Sequence, residues 1–187
     1  MPVQTPICDF GKKALPFELK STNSKIISLN DIKGKNGTLI MFICNHCPYV
    51  KAITKEIIED CNELKKIGIS SGAICSNDFV NYPEDSFENM IKFSNDNQFS
   101  FPYLHDDTQE IAKSYNAVCT PDFFGYNKNL ELQYRGRLRE LKNFVPVKDG
   151  ESDLLKAMRQ IVEIGNGPQD QIPSAGCGIK WKYDKCI

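Results

Sequence analysis

Apolar positions along the chain repeat with two different periods. Thr38–Ile43 (TLIMFI) is a continuous run of aliphatic and β-prone residues, the pattern of a strand buried on both faces. Beyond Pro48 the period lengthens. Val50, Ile53, Ile57, Cys61 and Leu64 recur at steps of three and four, which is one face of a helix. Gly68 stands where that helix would end. Ile69–Ser76 (ISSGAICS) predicts the next strand. Lys25–Leu29 (KIISL) predicts a short earlier one, with a turn through DIKGKNG between. Pro83–Ser94 predicts a helix with acids in its first turn, and Phe101–Leu104 a short strand. Asp107, with Glu110 three residues on, has the capping-box spacing and opens a helix through Tyr115. Residues 121–136 read as a β-hairpin turning at Asn127–Asn129. A last helix points Leu154, Leu155, Met158, Ile161 and Val162 inward and stops at Gly165 and Gly167. From Pro168 the pattern has no period.

This alternation of strands and helices implies an α/β fold with a mixed central sheet flanked by helices, the hairpin supplying the antiparallel part. The 187 residues form one domain, 1–187, with an N-terminal extension. Residues 168–187 are an irregular C-terminal tail packed on it, Ile179 and Trp181 being its apolar contacts. Composition alters this little. A net charge of −1 gives no electrostatic case for nucleic acid or an anionic membrane as partner. No apolar run approaches the ~20 residues that span a bilayer. The N-terminus MPVQTPICDFGKK lacks the apolar stretch of a secretory signal, so a cytoplasmic location is expected. Eight cysteines in a reducing compartment are then buried or functional thiols rather than a disulfide scaffold. Cys61 and Cys75 sit in apolar settings and read as core; Cys8 and Cys186 read as incidental.

The chemistry concentrates in FICNHCPYVK, Phe42–Lys51, where the central strand meets the helix. Strand-to-helix junctions at the carboxyl edge of an α/β sheet are where ligands bind. Proline is favoured at the first helical position, so Pro48 places Cys47 at the N-cap. There the sulfur faces unpaired amides and the positive end of the helix dipole, and its pKa falls below the ordinary value of about 8.5. A redox role also requires that sulfur to be open to solvent. Cys44 is near enough to form a disulfide with Cys47 but lacks the helix end. His46 either lowers the pKa of Cys47 and gives a proton to a leaving thiolate, or is a solvated loop residue. Lys51 reads as a solvated face. A zinc site on Cys44, His46 and Cys47 lacks a fourth ligand. A copper or zinc carrier using Cys44, Cys47 and a distant His105 is a minor reading. No metal or cofactor is expected, and His105 with Asp106 and Asp107 reads as a cap and turn. The run YRGRLRELK (Tyr134–Lys142) reads as an exposed strand end, or alternatively as a contact for an acidic partner.

Two motifs carry a family resemblance: NHCPYVK (Asn45–Lys51) and GCGIKW (Gly176–Trp181). CTPDFF (Cys119–Phe124) and YRGRL (Tyr134–Leu138) support them. With these the chain resembles the redoxin group of thioredoxin-fold proteins, the AhpC/TSA (alkyl hydroperoxide reductase, thiol-specific antioxidant) family, in its peroxiredoxin-like subgroup. The resemblance implies a thioredoxin fold, a cis Pro121 facing the active cysteine, and a Thr120 backbone exposed to pair with an extended substrate or partner. It implies Cys47 as a redox nucleophile in a thiol–disulfide oxidoreductase or peroxiredoxin-like antioxidant protein. Its partners would be small-molecule or protein thiols and disulfides, or peroxide, with a thioredoxin-like reductant. The departures are specific. Laid on the thioredoxin pattern, Cys47 takes the first active cysteine, Val50 the second, and Met41 the buried acid. Laid on the peroxiredoxin pattern PxxxTxxC, Ile40 replaces the Pro and Cys44 the Thr, leaving Arg135 or Arg137 to supply a guanidinium. A second thiol must resolve Cys47. Cys44 ranks first, then Cys177, then Cys119, and Cys177 equally suits anchoring the tail. The competing reading is a non-catalytic binding module with vestigial cysteines.

Overall fold

The computed structural model describes residues 2–182. Its centre is the run of apolar residues read first. Gly37–Phe42 forms a strand without an exposed residue, and its period of two divides the interior. Leu39 and Met41 face one core, Ile40 and Phe42 the other. In chain order the strands are β1 (Val3–Gln4), β2 (Glu18–Ser21), β3 (Ile26–Ser28), β4 (Gly37–Phe42), β5 (Ile69–Cys75), β6 (Tyr103–His105), β7 (Cys119–Thr120), β8 (Asp122–Asn127), β9 (Leu132–Tyr134), β10 (Leu141–Lys142), β11 (Val145–Pro146) and β12 (Ala175–Gly178). The helices are α1 (Pro48–Lys66), α2 (Phe87–Asp96), α3 (Glu110–Tyr115) and α4 (Asp153–Ile164). Among the described residues the main sheet has seven strands in the order β3-β2-β6-β5-β4-β8-β9. β4, β5 and β6 run parallel; β8 runs antiparallel beside β4, and β9 antiparallel beside β8. The mixed sheet expected from the alternation is therefore present. α1, α2 and α4 bury Val50, Met90 and Leu154 in one core, and α3 buries Ala112 and Tyr115 in the other. No described helix is long and apolar enough to cross a membrane.

α1 begins at Pro48 and ends one residue before Ile67, with Gly68 at φ +80° just beyond, where a left-handed residue closes a helix. Elsewhere the local reading needs correction. Pro83–Ser94 is not one helix. Pro83–Asp85 makes a single 3-10 turn; Ser86 then turns extended and its Oγ accepts the Asn89 amide, starting α2. That break buries Asp85 completely. Asp107 does not cap α3. The helix starts at Glu110, and the buried Asp106 carboxylate takes the amides of Ile111 and Ala112 instead. Tyr134–Lys142 is not an exposed strand end. Tyr134, Arg135 and Leu138 are buried, and the Arg135 guanidinium pairs with the buried Asp122 at 2.8 Å and donates to the Asn116 carbonyl at 2.7 Å. A neutralised, hydrogen-bonded arginine is retained inside where a bare one would not be. The tail is not irregular throughout: Ala175–Gly178 forms β12, inserted between β1 and β7 in a separate three-stranded sheet. Ile179 and Trp181 do pack against the second core. Cys8, Cys61 and Cys75 are buried, and burial pushes the last two up to about 12. Cys186 lies outside the described residues.

Candidate active site

Cys47 is the N-cap of α1 in extended backbone, with Pro48 following at N1. Its thiol donates to the Thr120 carbonyl at 3.1 Å. The pKa falls to about 5, chiefly because the Cys44 thiol donates to it; the amides of Val50 and Cys177 add to this against the cost of burial. Val50 is the third helical residue, so the helix end contributes as its position requires, but it is not the leading cause. Cys44 moves the opposite way, well up, because its thiol keeps its proton in a hydrogen bond toward Cys47, because it is buried, and because Asp85 is negative nearby. The two thiols are thus shifted in opposite directions, Cys47 down and Cys44 up. The Cys44 sulfur also lies 3.3 Å from the Thr120 hydroxyl.

Solvent access differs from the expectation: Cys47 and Cys44 are both 0% exposed. β12 covers them. It pairs antiparallel with β7, Cys177 opposite Thr120 and Gly178 opposite Cys119. The Thr120 backbone, expected to be open to a partner, is occupied by the chain's own tail. The Thr120–Pro121 bond is cis. At Gly176 a Cβ would stand 2.0 Å from the Thr120 carbonyl oxygen, so only glycine allows this approach. Ser174 then donates to the Pro121 carbonyl at 2.7 Å, and Ile179 donates its amide to Val118.

The remaining sequence-derived residues separate into near and far. Cys177 is half-buried beside Cys47, and burial together with the Cys47 sulfur raises its thiol to about 11. Cys119 is buried, turns its thiol toward the Pro121 carbonyl, and burial pushes it up. Val50 and Met41 are core residues without exposed surface. Arg135 is held by Asp122, and Arg137 by Asp153 at 2.7 Å. His105 lies far from a metal-carrier arrangement: its ring is packed between Phe79 and Phe87, its buried Nε2 has no partner, and burial lowers its pKa.

His46 is not a solvated loop residue. Its Nδ1 lies 2.6 Å from an Asp85 oxygen, and its ring stacks on Tyr82 at 5.7 Å with 7° between the planes. The Asp85 hydrogen bond raises its pKa, burial opposing. The Asp85 carboxylate also accepts the Asn45 amide at 2.8 Å and the Asn77 side chain at 2.7 Å. Burial pushes Asp85 up, but these donors hold it below the ordinary carboxylate value. Sulfur, nitrogen and oxygen donors of Cys44, His46 and Asp85 lie within 4.8 Å of one another. The imidazole and carboxylate in that group are already bonded to each other. Nothing in the sequence pattern singles out Asn77 or Tyr82. Asp85 appeared there only as a first-turn acid of a helix, and nothing local points it back 39 residues to His46.

A family model described as "AhpC/TSA family" matches residues 10–141. A structure of an uncharacterized conserved protein from Geobacillus kaustophilus is 40% identical over 98% of this chain and 97% of that one, with a TM-score of 0.88. A hypothetical protein from Sinorhizobium meliloti is 30% identical over 98% of this chain and 100% of that one, TM-score 0.89. The thioredoxin domain of a thiol-disulfide oxidoreductase from Bacteroides vulgatus shares the fold at 17% identity, covering 82% of this chain and 97% of that domain, TM-score 0.62. None of the curated proteins compared with the chain matches it.

Proposed function

This chain belongs to the AhpC/TSA family, and from that premise we propose that it is a thiol–disulfide oxidoreductase with Cys47 as its redox nucleophile. The carrying observation is the place of Cys47, at the N-cap of α1 before Pro48 and against the Thr120–Pro121 cis bond, where its pKa is lowered to about 5. In the cycle, the Cys47 thiolate attacks one sulfur of a disulfide RSSR. The S–S bond breaks, RS⁻ leaves and takes a proton, and a Cys47–SR mixed disulfide remains. Cys177, deprotonated as it attacks, displaces the second RS⁻ and leaves a Cys47–Cys177 disulfide. Two protein thiols are oxidised and one RSSR is reduced to two RSH. A thioredoxin-like dithiol, in a reducing cytoplasm, returns the pair to thiols. We assign resolution to Cys177 because it lies beside Cys47 and is only half-buried, whereas Cys44 is fully buried and its thiol is pushed well up.

Disulfide is preferred to peroxide because Ile40 and Cys44 stand where the peroxiredoxin pattern has Pro and Thr, and Arg135 and Arg137 are paired elsewhere. Access requires β12 to leave the Thr120 edge, which then accepts the backbone of an extended substrate; the strand returns after the first RSH departs and brings Cys177 back beside Cys47. The binding-module reading has one observation in its favour, the full burial of Cys47. Mass spectrometry after one equivalent of oxidised glutathione decides between them. A Cys47–Cys177 link supports the cycle. A Cys44–Cys47 link moves resolution to Cys44. A Cys47 left unmodified rejects the catalytic reading.

A further inference from the structure

A sealed thiol pair raises the question of how protons reach it. Cys44 and Cys47 have no exposed surface, yet each turn of the proposed cycle delivers protons to leaving thiolates. His46 connects the two sides. Its side chain keeps 23% of its surface exposed, while a ring nitrogen lies within 4.8 Å of both the Cys44 sulfur and an Asp85 oxygen. We propose that Asp85 is a positioning residue that holds His46 as the proton relay between solvent and the Cys44–Cys47 pair. The inference rests on the reading of Cys47 as the redox nucleophile.

The geometry fixes the imidazole from its edge and from its face. At the edge, the fully buried Asp85 sits 2.6 Å from Nδ1 and is itself tied to the Asn45 amide and the Asn77 side chain. At the face, the Tyr82 ring stacks on it. A carboxylate with three donors stays ionised and commits Nδ1 to carrying a hydrogen, which leaves Nε2 to gain and lose the mobile proton. The other charged or titratable groups around His46 are Cys44, Glu84 on the 3-10 turn, Cys47 at the helix start, and Lys51, Lys92 and Asp96 along the same depression. Lys180 of the tail lies over Tyr82 behind the ring. Asp85 is the one in hydrogen-bond contact, and it supports the protonated ring. As RS⁻ leaves the attacked disulfide, imidazolium Nε2–H gives it a proton, forming RSH and neutral imidazole. When Cys177 attacks, its S–H proton passes to that imidazole, which is again available for the second leaving thiolate. Proton and electron counts both close.

A purely structural Asp85 would tie the 45–47 loop to the 83–85 turn and affect all reactions of Cys47 alike. The proton-relay role distinguishes leaving groups, because an acidic aryl thiolate departs without a proton and a basic alkyl thiolate does not. The test follows mixed-disulfide formation with oxidised glutathione and with the aryl disulfide DTNB, in wild type, Asp85→Asn, His46→Gln and Cys47→Ser. Asp85→Asn is expected to slow the glutathione reaction by about 100-fold, the scale of positioned acid catalysis. The DTNB reaction should change by less than about threefold on the same argument. His46→Gln, which leaves the buried carboxylate in place, reproduces the difference should Asp85→Asn fail to fold. Equal slowing of both reagents, or of neither, overturns the relay. Adduct formation that persists unchanged in Cys47→Ser overturns the nucleophile reading and this inference with it. Adducts lost in Cys47→Ser, with no leaving-group dependence in Asp85→Asn, overturn this inference alone.

Discussion

At the scale of single residues, the ionisation of Cys47 is a property of a pair. Its sulfur is stabilised first by the Cys44 thiol and only then by the helix amides. Cys44→Ala is therefore expected to move the pH midpoint of Cys47 alkylation by iodoacetamide upward from about 5. An unchanged midpoint would leave the helix end as the sole cause. The same shift couples to stability. Cys47 is held ionised in the fold at about 5 and titrates near 9.0 when free, so its folded-state pKa is depressed. Its contribution is fully present above pH 9, declines as pH falls, and is gone below about 5. The stability difference between wild type and Cys47→Ser, from urea melts, should accordingly widen between pH 5 and pH 9. A difference that stays flat over that window contradicts an ionised native thiol.

Elements are joined by buried polar contacts between distant parts of the chain. Ser152 caps α4 by accepting the Leu155 amide at 2.9 Å, and donates to Asp60 of α1 at 2.5 Å. Burial raises Asp60 from 3.8 to about 6, partly offset by that hydroxyl. A raised carboxylate favours the fold while it is protonated and loses that contribution as pH climbs through about 6. Ser152→Ala removes the cap, worth about 1 kcal/mol. Above pH 6 it also leaves a buried carboxylate without its donor, a further cost of about 1–3 kcal/mol. Denaturation at pH 5 and pH 8 should show the larger loss at pH 8, and equal losses would mean that Asp60 does not ionise in the fold.

Over the whole molecule, the tail strand lies on the Thr120 edge beside Cys47. β12 holds the edge beside the cis proline only because Gly176 lets two backbones approach closely. Gly176→Ala places a methyl on the Thr120 carbonyl and should release the strand, while the seven-stranded sheet, built without β12, remains. Cys47 alkylation at fixed pH is expected to accelerate by about tenfold or more, exposure being what limits a buried thiolate, with far-UV circular dichroism unchanged. Alkylation at the wild-type rate would show that the tail does not gate access.

Much of the fold and part of the site were legible in the chain, for reasons of range. Thr38–Ile43 and the helix face from Val50 to Leu64 are patterns of adjacent residues, and burial follows from period alone. Pro48 at N1 puts Cys47 at the cap through the covalent geometry of one ring. The breaks at Ser86 and Asp106 were hidden because side chains able to cap stand near several amides, and packing selects among them. What the sequence determined by itself is therefore the strand–helix junction and the cysteine at its turn. Which groups surround that cysteine was decided only in three dimensions. Asp85 meets Asn45 across 40 residues, Thr120 meets Cys47 across 73, and the tail strand pairs with the Thr120 edge. Such contacts have no local period to betray them, because they form only when the sheet brings distant chain ends to one edge.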